Sequence, residues 1–318
     1  MYELPIEIRE ETLRLIEGER PDALCGAAER LSERYREGGG TGKRLVGGKL
    51  DILAYAAARM PATYAAVSRA LALSMECCEL SPETVLDAGA GTGAAAAAAY
   101  ALTGCADITC VEREQSMIDA GRRLLTAGGI NARWVRADLA DGLPRSAALV
   151  LSSYCLNEMT PACRKTAVER LWNAAQQALL IIEPGTPAGF AQLKAARGQL
   201  LALGARIAAP CPAVTECPLP ADNWCHFTVR VPRTRLHKQL KGGSAPYEDE
   251  KFCFITALRA DVSPCAARVL RHPRIESGRI TLSLCTPEGL QERTVTRSSP
   301  LFKAARKADC GDALPKSE

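Results

Sequence analysis

The chain predicts an α/β fold: a parallel sheet with crossover helices on both faces, an N-terminal helical extension and a Cys-rich insertion before the last strands. Three observations predict it. From residue 84, short β-branched or apolar runs alternate with alanine-rich stretches of helical character. Ahead of them, residues 1 to about 80 carry apolar side chains at three- and four-residue intervals. Behind them, a segment dense in Cys and Pro breaks the alternation.

Taken in order, LPIEIREETLRLIEG and PDALCGAAERLSERYRE read as amphipathic helices. The glycine-rich GGGTGKRLVGGK, residues 38 to 49, predicts a loop whose cations suit phosphate, or a plain linker. Helical pattern resumes in LDILAYAAARM and, after Pro61 as a first-turn residue, in ATYAAVSRALALSMECCEL. The runs TVLDAG, DITCVE, ARWVRAD, AALVLSS and ALLIIE predict five strands between residues 84 and 183. Two more strand candidates, KFCFITALR and GRITLSLCT, follow the Cys-rich segment, the second closed by the turn Pro287-Glu288-Gly289. The organisation expected is a helical region (1–80), an alternating strand–helix core (81–204), and a third segment (205–318) with the Cys loop, a basic stretch and final strands completing the sheet.

Composition narrows the function. With 318 residues, 47% hydrophobic and 24% charged, the chain can bury a core without disulfide staples, and disordered or fibrous classes fall away. Aromatic residues make up only 5%, so any nucleic-acid contact has to lean on Arg, Lys and backbone groups. Residues 227 to 318 hold 17 Lys/Arg against 10 Asp/Glu, whereas residues 1 to 226 hold 23 against 26. A net +7 on the last third suits a polyanionic partner or a solvated basic face. The acidic start MYELPIEIREE is unlike a secretory signal, and the longest apolar stretch, near Ala94 to Leu102, is too short to cross a bilayer. A cytoplasmic, monomeric protein without membrane contact is expected. Fourteen cysteines then read as buried thiols plus metal ligands.

The first chemical motif is Asp87-Ala88-Gly89-Ala90-Gly91-Thr92-Gly93, at a strand end and opening a helix. Glycines there let the backbone approach a ligand and expose helix N-terminal N–H groups. The spacing is G-x-G-x-G with an acid two residues before it, not the G-x-G-x-x-G of dinucleotide folds. Asp87 is expected to face the cationic end of an amino-acid-bearing ligand. This resembles motif I of class I S-adenosylmethionine-dependent methyltransferases. Glu112, nineteen residues past Gly93, is placed to accept two ribose hydroxyls, and Asp138 stands where that superfamily binds the adenine amino group. The alternative is a degenerate nucleotide fold that keeps the glycines for helix packing. After the fourth strand, Tyr154, Asn157 and Glu158 are acceptor-pocket candidates, as hydrogen-bonders or a weak base, or else capping and packing residues. An Asn/Asp-Pro-Pro-Tyr box is absent.

The second constellation is Cys211, Cys217 and Cys225, six and eight positions apart in a proline-broken loop, with Pro212 and Pro218 directly after the first two. Thiolates suit zinc and iron–sulfur clusters alike, although close C-x-x-C zinc knuckles are missing. Cys285, at a strand end before a turn, is the expected fourth ligand, and His226 is expected to hydrogen-bond behind its neighbour Cys225, with ligation by His226 itself as the alternative. Incidental buried thiols are the alternative.

The segments APCP, ECPL, WCHF, RVPRTRLHKQLKGG and EDEKFCF, with AARMPATYAAV, LDAGAGTGAA, IIEPGTPAGF, RHPRIESGRITLSLCTPEG and KAARKADCGD, carry a more specific likeness. Over most of residues 50 to 312 the chain resembles the mitochondrial small-ribosomal-subunit methyltransferase-like assembly proteins and their bacterial relatives. That resemblance implies a Rossmann-like class I methyltransferase fold, association with the small ribosomal subunit or its rRNA, and a 4Fe-4S cluster on Cys211, Cys217, Cys225 and Cys285. Where the family often has His after the first Cys-Pro, this chain has Ala213. Arg230, Arg233, Arg235, Lys238 and Lys241 follow the loop as a candidate phosphate-contacting row, with Glu248-Asp249-Glu250 offsetting part of its charge. The function expected is an S-adenosylmethionine-dependent rRNA methyltransferase carrying that cluster, or alternatively a non-catalytic assembly factor using the fold as an RNA-binding platform.

Overall fold

A computed structural model of the chain describes residues 2–37, 46–213, 215–241, 244–262 and 264–314. Most of the predicted glycine-rich loop, residues 38–45, lies outside the described residues.

Four helices come first: α1 (Ile6–Ile16), α2 (Pro21–Glu37), α3 (Lys49–Ala58) and α4 (Met60–Met75). Pro61 sits in the first turn of α4, where a missing N–H costs nothing. Most of α4 is buried, and Met60, Val67 and Leu71 share a core with Val85 and Leu149 of the sheet. The helical region is therefore packed into the main body and is not an appendage.

The alternating half runs β1 (Thr84–Ala88), α5 (Ala94–Thr103), β2 (Asp107–Glu112), α6 (Gln115–Ala127), β3 (Arg133–Arg136), β4 (Ala147–Ser153), α7 (Pro161–Ala174), β5 (Ala175–Pro184) and α8 (Pro187–Ala202). Strands β1, β2, β4 and β5 are apolar and buried on both faces, as a helix-covered parallel sheet requires. The six alanines 94–99 of α5 are all buried, so this helix lies close against the sheet with α4 and α6. Trp172 of α7 and Leu193 and Leu200 of α8 cover the opposite face. Thr160 and Thr186 accept from the N–H groups of Cys163 and Gly189, capping α7 and α8 just ahead of Pro161 and Pro187.

The chain continues through β6 (Arg206–Ala209), β7 (Phe227–Pro232), α9 (Arg235–Lys241) and β8 (Tyr247–Leu258). The sheet order is β3-β2-β1-β4-β5-β8-β6, with β7 also pairing β8. Strands β1 to β5 are parallel, and β8 enters antiparallel to β5, in register from Ala178↔Leu258 to Pro184↔Phe252. A parallel sheet with one antiparallel strand set in near its edge is the Rossmann-like methyltransferase arrangement.

One expectation changes. KFCFITALR does complete this sheet as β8, but GRITLSLCT does not join it. It forms β11 (Arg279–Thr286) of a second sheet, after β9 (Ala267–Val269) and β10 (Arg274–Glu276) and before β12 (Gly289–Thr296), α10 (Phe302–Lys307) and β13 (Ala313–Leu314). The tight hairpin Thr286↔Gly289 pairs β11 with β12 along its whole length, so its hydrogen bonds are satisfied locally. Ile280, Leu282 and Leu284 alternate inward on Val295 and Leu314 to give this sheet its own core. Among the described residues, no helix is long and apolar enough to cross a membrane.

Candidate functional site

The ends of β1, β2, β3 and β4 open on a cleft of about 840 Å³, a volume within the usual range for small-molecule sites. Gly89, Gly91, Glu112, Asp138, Tyr154, Asn157 and Glu158 line it, so seven of the residues singled out in the sequence meet at one place. Glu112 accepts from the N–H of Gly91 at 2.9 Å and of Glu114 at 3.0 Å, one on each carboxylate oxygen. Each oxygen keeps a second lone pair for a hydroxyl donor. Asp138 accepts from the N–H of Ala140 at 2.8 Å and faces Arg113 at 3.7 Å.

Asp87 and Gly93 stand behind this wall. Asp87 is fully buried, and its Oδ2 accepts from the N–H of Ala96 at 3.0 Å in the first turn of α5. Burial pushes its carboxyl up to about 7, against the pull of that N–H, with ionised Glu112 pushing the same way. Asp87 is not among the residues lining the cleft: Oδ2 serves the helix start, and Oδ1 has no partner among the described residues. Gly93 has φ +86°, and a Cβ there would sit 2.8 Å from Leu125 Cδ1, so this glycine serves the close packing of α5 on α6.

Just past the end of β4, next to Cys155 which packs against Gly89, Tyr154 holds φ +56°, a left-handed conformation that costs a bulky residue about 1–3 kcal/mol. Its N–H donates to Ile182 O at 2.8 Å, and its hydroxyl donates to Glu250 Oε1 at 2.9 Å. Arg59 reaches the same oxygen at 3.5 Å and lies 5.9 Å from the ring centroid. Burial and the Glu250 carboxylate raise the phenol well above its ordinary range. Asn157 Nδ2 donates to Tyr154 O at 3.5 Å, while the N–H groups of Leu156 and Asn157 both donate to Glu183. Burial pushes that carboxyl up to about 8.

The four cysteines expected together do share one place. Cys211, Cys217, Cys225 and Cys285 line a small apolar cavity of about 40 Å³, with Phe190, Leu219, Phe227 and Leu270. Cys211 follows β6, Cys225 precedes β7 and Cys285 belongs to β11, so the cavity lies on the seam between the two sheets. Burial raises the Cys211 and Cys225 thiols and pushes Cys285 up to about 12. Two buried guanidinium groups work the other way. Arg197 donates to Thr215 O at 2.5 Å and Ala213 O at 2.8 Å, and Arg268 donates to Pro210 O at 2.9 Å. A sulfur donor set in an apolar wall with two cations beside it fits an anionic thiolate-bound centre. Among the described residues, no three His, Cys, Asp or Glu are gathered as a site that could hold a metal ion. His226 stacks on Trp224 at 5.5 Å between ring centroids, and its Nδ1 is buried with no partner among the described residues.

The basic row divides. Arg230 is paired with Asp249 at 3.0 Å and lies over Tyr247, and Arg233 is paired with Glu248 at 3.0 Å. Arg235 is exposed and Lys238 half-exposed on α9, with no anionic partner among the described residues; the side chain of Lys241 lies outside them. Helix α9 packs on α2 and α3, and Cys25 donates to Gln239 O. The N-terminal helices therefore brace this surface.

A profile of the family described as mitochondrial small ribosomal subunit Rsm22 matches residues 49–315. The chain belongs to this family. It is 29% identical over 294 residues to the human mitochondrial ribosome assembly protein METTL17, a match covering 83% of this chain. The chain spans only 62% of that relative's length. Among solved structures it is similar to magnesium protoporphyrin IX methyltransferase from Synechocystis with bound SAM, at 17% identity, TM-score 0.42, and 72% of this chain and 91% of that one covered. A SAM-dependent methyltransferase from Aquifex aeolicus gives 14% identity, TM-score 0.40, and 61% and 89% covered.

Several site residues of this Rsm22-family chain escaped the sequence reading. Glu250, expected only to offset the basic row, reaches Tyr154 from β8 together with Arg59 of the α3–α4 junction, and Cys253 adds a fifth thiol to the cavity wall. Arg197, Arg268 and Lys194 bind loop carbonyls, and a carbonyl leaves no mark in a sequence.

Proposed function

We propose that this chain is a small-ribosomal-subunit assembly protein that contacts the subunit's rRNA, takes S-adenosylmethionine in its cleft and holds a 4Fe-4S cluster on Cys211, Cys217, Cys225 and Cys285. Family membership and the printed role of the human relative support the ribosomal part. The observation that carries the cofactor is the meeting of Gly89, Gly91, Glu112 and Asp138 at the ends of β1, β2 and β3. Bound there, the cofactor supplies an electrophilic methyl group. Glu112 uses its spare lone pairs to accept ribose hydroxyls, Asp138 accepts from an exocyclic amine, and the glycines admit the ligand close to the backbone. Asp87 acts at one remove, fixing the start of α5. The cluster reading is supported by the all-sulfur donor set and by Arg197 and Arg268, whose charge offsets that of four thiolates around a cluster core. Arg235 and Lys238, exposed and half-exposed on α9, are the phosphate-contacting groups. A cytoplasmic monomer completes the proposal.

Methyl transfer to the rRNA is the second reading, favoured by Tyr154, Asn157 and Glu158 lining the same cleft as the glycine loop. The assembly reading stands first because the Tyr154 hydroxyl is already committed to Glu250 and no Asn/Asp-Pro-Pro-Tyr box is present. Calorimetry with S-adenosylmethionine tests the cleft, and no heat of binding overturns that part. Mass mapping of rRNA from a deletion strain separates the readings. Immature small subunits with an unchanged modification map leave assembly alone, and a lost methyl group restored by the wild-type gene establishes transfer.

A further inference from the structure

Beside the four-thiol cavity, and sharing Arg268 with its wall, three distant parts of the chain bring two further thiols and a cation together. Cys77 lies in the turn that ends α4, its N–H donating to Ser74 O at 2.9 Å. Cys265 lies between β8 and β9, and Arg268 lies in β9. Arg268 is almost wholly buried, and its Nη2 donates to Cys77 Sγ at 3.1 Å. Its other N–H groups are anchored on Pro210 O and Gly311 O, both at 2.9 Å, so the guanidinium is held in place under the sulfur. Cys265 Sγ lies 4.0 Å from Pro210 O, the same oxygen that accepts from Arg268 Nε, while Cys77 takes the neighbouring Nη2, so one guanidinium brings both thiols to its edge. Cys265 and the guanidinium hold the Cys77 thiol below its ordinary range, while Cys265 is raised. Both residues are half-buried and reachable from solvent. Adjacent Cys78 provides an internal contrast: its sulfur donates to Ser74 O at 3.2 Å, and burial pushes it up to about 11.

We propose that Cys77 and Cys265 are a reversible thiol–disulfide couple, distinct from the four-thiol cavity, that joins the end of α4 covalently to the segment leading into the second sheet. The oxidant class is a low-molecular-weight disulfide. The Cys77 thiolate attacks one of its sulfurs and expels a thiolate, leaving a mixed disulfide on Cys77. Cys265 gives up its proton and attacks the Cys77 sulfur, and the second small thiolate leaves. The Cys77 thiolate and the Cys265 thiol are oxidised by two electrons in all, and the small disulfide is reduced to one thiol, which carries the proton from Cys265, and one thiolate. The joined sulfurs are neutral, so Arg268 loses its anionic partner and keeps Glu76, at 3.8 Å, as the nearest carboxylate. The second sheet, otherwise tied to α4 by Arg69 and Asp312 at 2.9 Å, gains a covalent link there.

Purified full-length protein is incubated anaerobically in glutathione disulfide buffers, quenched with an alkylating agent and digested for mass spectrometry. The expected product is a Cys77–Cys265 linked peptide with loss of two alkylatable thiols, reversed by reduced glutathione, while Cys78 stays reduced. Cys265→Ser is expected to stop at a persistent glutathione adduct on Cys77, and Cys77→Ser to give neither adduct nor link, with circular dichroism confirming that both variants are folded. The proposal is overturned if folded wild type yields no such link, or if folded Cys265→Ser leaves Cys77 free of glutathione. Neither result bears on cofactor binding or the cluster.

Discussion

Replacing Asp87 by Asn tests the account of the motif acid as a buried structural carboxyl. Asp87 is fully buried, one oxygen accepts from Ala96 and the other has no partner among the described residues. An acid with a folded pKa of about 7, against an unfolded value near 3.9, contributes stability that is intact below about pH 4 and lost as pH rises towards 7. One unit is worth about 1.4 kcal/mol, so ionisation costs wild type roughly 1.5 kcal/mol by pH 5 and roughly 4 kcal/mol by pH 8. Asn keeps the acceptor for Ala96 and removes the titration, though its amide leaves a buried donor unpaired at about 1–3 kcal/mol at every pH. Relative to wild type, Asp87→Asn should therefore gain about 2–3 kcal/mol between pH 5 and pH 8. Urea unfolding under reducing conditions, followed by circular dichroism at both values, measures this. A pH-independent difference between the two proteins, or a variant that loses ground as pH rises, would refute the reasoning.

Gly93→Ala should lose about 1–3 kcal/mol in the same assay, because its φ is left-handed and Leu125 stands where the methyl would go. Glu112→Ala should weaken S-adenosylmethionine binding about 30- to 1000-fold by calorimetry, two charge-assisted bonds being worth roughly 2–4 kcal/mol. Arg197→Met frees the loop carbonyls of Ala213 and Thr215 and removes a cation beside Cys211, and should shorten iron retention during anaerobic gel filtration about tenfold. The Arg235→Ala, Lys238→Ala double variant should weaken rRNA-fragment binding and reduce the slope of log affinity against log salt by about 1.5–2, whereas Arg230→Ala should change it little because Arg230 is paired with Asp249.

The parallel half of the fold was legible because strands buried on both faces are written as unbroken apolar runs such as ALLIIE, spaced by helices. The short strands β6 and β9, of four and three residues, carry too little pattern to be seen. GRITLSLCT was legible as a strand but not in its sheet, since the choice between pairing with β8 and closing a hairpin with β12 is made by turn geometry and long-range packing. In the cleft, Glu112 and Asp138 fall where the motif spacing put them, while Asp87 shows that a motif position fixes a residue's place on a strand but not which way its carboxyl is used. The thiols announced themselves through their prolines. The buried cations beside them did not, because Arg197 and Arg268 look like any surface arginine until the loop folds over them.

The central claim is that four sulfurs from separate stretches of chain hold one iron–sulfur centre on the seam between the two sheets. Iron and acid-labile sulfide analysis of anaerobically purified wild type and Cys285→Ser tests it most directly, read beside the visible absorbance. The account predicts equal iron and sulfide with brown colour in wild type, and their loss when the only ligand contributed by the second sheet is removed. Stoichiometric zinc without iron in wild type, or full iron retained in Cys285→Ser, would contradict it.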